Sequence, residues 1–88
     1  MREVWKFPLG YSDYVWVSMP EGAEPLHIDM DGPIPMLWAL VNPNNAYVQR
    51  KFRFAGTGHA IQDEDLKYVG TTRDEELHLV WHLFEVNP

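Results

Sequence analysis

Tyr47-Val48-Gln49-Arg50-Lys51-Phe52-Arg53-Phe54-Ala55-Gly56-Thr57-Gly58-His59 is the stretch on which the fold turns. Val48, Arg50, Phe52 and Phe54 point to one side of an extended chain, and Gln49, Lys51 and Arg53 to the other. A period of two is the pattern of a β-strand whose faces meet different surroundings. The run ends in Gly56-Thr57-Gly58-His59, a glycine-bracketed turn where free backbone, a hydroxyl and an imidazole converge.

The same rhythm extends in both directions. Seven prolines and six glycines interrupt the chain, and the runs between them are short, aromatic and β-branched, as short antiparallel strands require. Arg2–Pro8 sets Val4 and Lys6 against Trp5 and Phe7. Asp13–Ser18 sets Tyr14 and Trp16 against Val15 and Val17, and Met19-Pro20-Glu21-Gly22 turns the chain. Pro25–Asp31 directs Leu26, Ile28 and Met30 inward and His27, Asp29 and Asp31 outward. Ile34–Val41 is almost wholly apolar, which predicts a central strand covered on both faces. Asn42-Pro43-Asn44-Asn45 then predicts a hairpin between Ile34–Val41 and Tyr47–Ala55. Leu66–Gly70 is a short strand between two exposed polar loops, Gln62–Asp65 and Thr72–Glu76. Leu77–Val86 closes the chain as a strand, with His78 and His82 on one side and Trp81 and Leu83 on the other, although Asp74-Glu75-Glu76 could instead start a helix over Glu75–Phe84. The expectation is one all-β domain over residues 1–88: a small antiparallel sandwich or partly open barrel of about seven short strands.

Composition narrows the chemistry. Thirteen acidic against seven basic side chains give a net charge of −6, which opposes direct nucleic-acid binding and suits a partner with a basic surface. There is no cysteine, so neither a disulfide nor a thiolate ligand is available. No apolar run is long enough for a membrane helix. The four tryptophans, four tyrosines and four phenylalanines suit a thin core that needs large side chains. Thin cores and free strand edges also favour a homo-oligomer.

Three groups of residues are candidate sites. The amides of Gly56, Thr57 and Gly58, with Arg53, His59 and the ring of Trp38, suggest a pocket for a small anionic ligand such as a nucleotide-like signal. The plain alternative is a tight turn that merely needs glycine. Asp63, Glu64 and Asp65, together with Asp74, Glu75 and Glu76, suggest an acidic face for a partner protein, or simply solvated loops. Asp29 and Asp31 stand roughly 7 Å apart on one strand face, either a cation site or a solvated edge. His78 and His82 stand about 13 Å apart on a strand, too far to share an ion, so no metal is expected. No residue trio asks for a nucleophile's role, so no enzyme and no cofactor are expected.

Val4-Trp5-Lys6-Phe7-Pro8-Leu9, Met19-Pro20-Glu21-Gly22-Ala23, Leu37-Trp38-Ala39-Leu40-Val41-Asn42-Pro43, Phe52-Arg53, Gly56-Thr57-Gly58-His59, Tyr68-Val69-Gly70-Thr71 and Leu79-Val80-Trp81-His82-Leu83-Phe84-Glu85 together resemble a family of small uncharacterised proteins of bacteriophages and prophages. The resemblance implies a phage origin, expression in the cytoplasm of an infected bacterium and a complete single-domain protein. It transfers no chemistry. By analogy of class, the expected role is a phage accessory protein that binds and neutralises a host component, for instance as an anti-defence inhibitor. The alternatives are a small-ligand sponge and a minor virion or assembly component.

Overall fold

The computed structural model describes residues 1–87. Within them the chain forms seven strands: β1 (Glu3–Pro8), β2 (Tyr14–Pro20), β3 (Glu24–Asp31), β4 (Ile34–Val41), β5 (Tyr47–Gly56), β6 (Leu66–Asp74) and β7 (Leu79–Val86). They build two antiparallel sheets, one ordered β1-β4-β3 and the other β2-β5-β7-β6. The sheets pack face to face as a sandwich and do not close into a barrel. The slab measures 38 × 31 × 16 Å between Cα atoms.

The alternation read from Tyr47–Phe54 explains the core. Phe52 and Phe54 point between the sheets and meet Leu37, Ala39 and Val41 of β4, Val17 and Met19 of β2, Ile28 of β3 and Leu83 of β7. Burying such large apolar side chains completely stabilises the fold by about 2 kcal/mol each.

Several expectations change. β4 and β5 do not form a hairpin; they lie in different sheets. β4 pairs with β1 and β3, while β5 pairs with β2 and β7. The Asn42 side chain accepts from the Asn44 amide, and its carbonyl accepts from the Asn45 amide. That turn carries the chain from one sheet to the other. β4 is central, but only one of its faces is covered: Leu37, Ala39 and Val41 are buried, while Met36, Trp38 and Leu40 are half-exposed on the outside. Its apolar outer face, not a second layer, made the run look doubly buried. Leu26 is exposed because β3 bulges between Pro25 and His27. β6 continues to Asp74, and the side chains of Thr72 and Asp74 are buried rather than solvated, with Arg73 exposed between them. Leu77 and His78 belong to the turn before β7, with His78 in the left-handed region at φ 54°.

β5 and β6 flank β7 and are both antiparallel to it, so they run parallel to each other. The link between them must return the length of the sheet. Residues 57–65 do so, as a strap across the outer face.

Candidate functional site

The strap organises the outer face of the four-stranded sheet. Arg53 sits beneath it, 5% exposed. Its guanidinium donates to the carbonyls of Asp13 (3.2 Å), Phe54 (2.7 Å) and Ala60 (3.0 Å). It is therefore a structural tie between β5, the chain before β2 and the strap. Tyr14 donates its phenolic hydrogen to Glu64 at 2.8 Å. That bond to a carboxylate is the main reason its pKa lies above 10.0.

The turn at the end of β5 is closed on itself. The His59 amide donates to the Gly56 carbonyl at 3.0 Å, the Gly56 amide to His59 Nδ1 at 3.1 Å, and the Thr57 amide to Val80 at 3.1 Å. Those three amides already have acceptors, and only Gly58 keeps an amide for a ligand. A Cβ on Gly56 would stand 2.8 Å from His59 Cε1, so glycine is needed for the imidazole to fold back. The ring then rests edge-on against Trp81, with centroids 6.0 Å apart. Trp81 also packs against Phe54 and Tyr11.

Trp38 does not join this turn. It lies on the outer face of the three-stranded sheet, beside His27 with ring centroids 6.1 Å apart. Even-numbered residues of β4 point away from the core, so the three-stranded sheet itself stands between Trp38 and Gly56–His59. The anion pocket expected there is not assembled.

The acidic residues do not share one face either. Asp63, Glu64 and Asp65 lie in the strap before β6, and Glu75 and Glu76 follow its far end. The two groups stand about 26 Å apart along the strand. Asp74 is 6% exposed and accepts from the amides of Glu76 and Leu77, while the Tyr11 hydroxyl, which donates to the Pro33 carbonyl at 2.7 Å, lies 3.5 Å from its carboxylate. Asp74 caps the turn rather than facing a partner. Tyr11 has a raised pKa, first through burial and then through Asp74. Asp29 and Asp31 are also separately engaged. Asp29 accepts from the Met30 amide and the Thr72 hydroxyl, and Asp31 meets Lys6. The Met30 bond is the largest cause of Asp29's lowered pKa.

His82 is held at both nitrogens: Nε2 lies 2.8 Å from the Thr57 hydroxyl and Nδ1 3.0 Å from that of Thr71. Tyr68 extends the chain, 2.6 Å from Thr71. This relay fastens the strap to β7 and β6. Among the described residues no group of three or more His, Cys, Asp or Glu is placed to hold a metal ion. Nor, among those residues, is any helix long and apolar enough to cross a membrane.

The most exposed aromatic surface lies elsewhere, beside the strap. Trp16 of β2 is 62% exposed and pairs in register with Lys51 of β5. The Lys51 ammonium lies 4.5 Å from the centre of the Tyr14 ring and 5.6 Å from that of Trp16. Below them opens a cavity of about 320 Å³ lined by Trp16, Gln49, Lys51, Val86, Asn87 and the Arg50–Glu85 pair. Arg50 grips Glu85 through two bonds of 2.6 and 2.7 Å and donates a third to the Ala23 carbonyl. The sequence reading missed this cluster, although its signal was present. Tyr14 and Trp16 share one side of their strand, and Lys51 lies on the polar side of its own. Only the β2–β5 register brings them together.

Fold and surface thus define an antiparallel β-sandwich with an aromatic, strap-bordered outer face. The chain matches, over residues 1–88, the family described as Domain of unknown function (DUF7352), and it belongs to that family. No curated protein and no solved structure matches it.

Proposed function

We propose that this chain is a non-catalytic phage accessory protein that captures and neutralises a host protein with the outer face of its four-stranded sheet. One observation carries the reading: Trp16 stands exposed on an ordered Tyr14–Lys51 platform. Tryptophan and tyrosine dominate the residues that anchor protein interfaces, because they bury large area at small entropic cost. The strap's Asp63, Glu64 and Asp65 border that platform and suit a partner with a basic surface. Phage origin and the bacterial cytoplasm as the place of action belong to the same proposal and rest on the family resemblance. The test is affinity capture from a bacterial host lysate with quantitative mass spectrometry. A specific partner should be retained by the unaltered chain and lost by Trp16→Ala, a change worth about 2 kcal/mol or more at an anchor. Glu64→Lys should weaken retention, whereas Glu75→Lys, at the far end of the sheet, should not. Equal retention by all of the variants would sink the proposal.

A second reading is favoured by the cavity beneath Trp16. Its size, the open indole and the neighbouring Lys51 suit a planar anionic ligand such as a nucleotide-like signal. A thermal shift with nucleotides that disappears in Lys51→Ala would favour it over protein capture.

A further inference from the structure

The two flanks of the sandwich are built differently. On one, the edge strands β3 and β6 each carry a bulge, between Pro25 and His27 and between Tyr68 and Gly70. They also close on each other. Ile28 Cγ2 lies only 2.7 Å from where a Cβ of Gly70 would stand, and the Thr72 hydroxyl donates to Asp29 at 3.1 Å. Bulges and mutual cover are how natural sheets blunt their edges. On the other flank, β1 and β2 run in unbroken register. β1 carries Glu3 and Lys6, charges that discourage pairing. β2, Tyr-Val-Trp-Val-Ser-Met-Pro, is the one edge strand without a charged residue.

The backbone of β2 is correspondingly open. The Phe54 amide donates to the Asp13 carbonyl and the Glu21 amide to that of Ala46. These bonds set the phase of the ladder: odd-numbered residues turn their N–H and C=O groups toward β5, and even-numbered residues turn theirs outward. Tyr14, Trp16 and Ser18 thus present free donors and acceptors along the edge. Pro20 has no N–H, and its carbonyl already accepts from Ala23.

We propose that β2 pairs antiparallel with β2 of a second copy of this chain, about a two-fold axis at Trp16. In that register Trp16 faces Trp16 of the other copy and Tyr14 faces Ser18, so every outward group of the three residues finds a partner. Shifting the centre to Val17 would set Tyr14 against Pro20, which cannot donate. An uncharged edge is also the contact that two chains of net charge −6 can make without repulsion. The two four-stranded sheets become one, an isologous dimer with both Trp16 platforms on a single face. The pairing rests on the edge itself and not on what that face binds.

Light scattering on the purified protein tests it without any partner, so its outcome is separate from that of the capture experiment. The expected mass is twice 10.3 kDa. Ser18→Pro removes an outward donor that the monomer does not use and should give the single mass. Trp16→Lys, which places two ammonium groups across the axis, should do the same. In a chain without cysteine, Trp16→Cys should crosslink to its own copy through a short bifunctional thiol reagent, because facing Cα atoms would stand about 5.5 Å apart with both side chains on one face. A 10.3 kDa mass at all concentrations overturns the proposal. So does a dimer that survives both Ser18→Pro and Trp16→Lys, or one in which Trp16→Cys stays uncrosslinked. A monomer that takes up an extended peptide on this edge overturns it as well.

Discussion

Gly56 and His59 show how a motif that looks like a ligand site becomes a lock. Glycine at 56 makes room for the imidazole, whose Nδ1 accepts the Gly56 amide. Gly56→Ala should therefore push the ring off Trp81 and destabilise the domain by about 1–3 kcal/mol. His59→Ala removes the obstacle, so adding Gly56→Ala on top of it should cost much less, a coupling that urea denaturation of the four-member cycle will resolve. Arg53 carries the same lesson. Its position on the polar side of β5 was legible. That three carbonyls would occupy its guanidinium was not, because those carbonyls come from Asp13, its neighbour Phe54 and Ala60 of the strap.

The strap is the element that most shapes the surface, and one end of it hangs on Tyr14 and Glu64. The phenol's pKa is raised above 10.0 in the folded chain, chiefly by that hydrogen bond. A raised value means the contribution is complete below the unfolded pKa near 10 and is lost as the pH rises through the folded value. Amide exchange in residues 60–65, taken relative to the intrinsic base-catalysed rate at each pH, should therefore quicken above pH 10 in the unaltered chain. In Tyr14→Phe it should be faster at neutral pH and lack that step. Strand positions were largely legible, since period-two alternation marks β1, β2, β3 and β5 directly. Their partners were less so. The apolar outer side of β4 imitates a buried strand, and a turn rich in asparagine serves a sheet-to-sheet crossing as well as a hairpin.

The Arg50–Glu85 pair ties the molecule together at the end where residues 21–23 pass between the sheets. The two side chains are 19% and 15% exposed, and Arg50 also holds the Ala23 carbonyl. Arg50→Ala should strand a half-buried carboxylate and cost about 3 kcal/mol, read as a lower denaturation midpoint with unchanged slope. Glu85→Gln in the same chain should recover part of that loss. Alternation and turn residues determined on their own that this would be a small antiparallel β protein, with Phe52 and Phe54 on one side of their strand and Leu83 on one side of the last; that these sides form the core came from the structure. Local sequence carries that information because a strand's faces repeat every two residues. Which strands share a sheet, which acids share a face, and where Trp16 meets Lys51 were decided only by the tertiary structure. Those relations depend on register between segments tens of residues apart, and no local period encodes them.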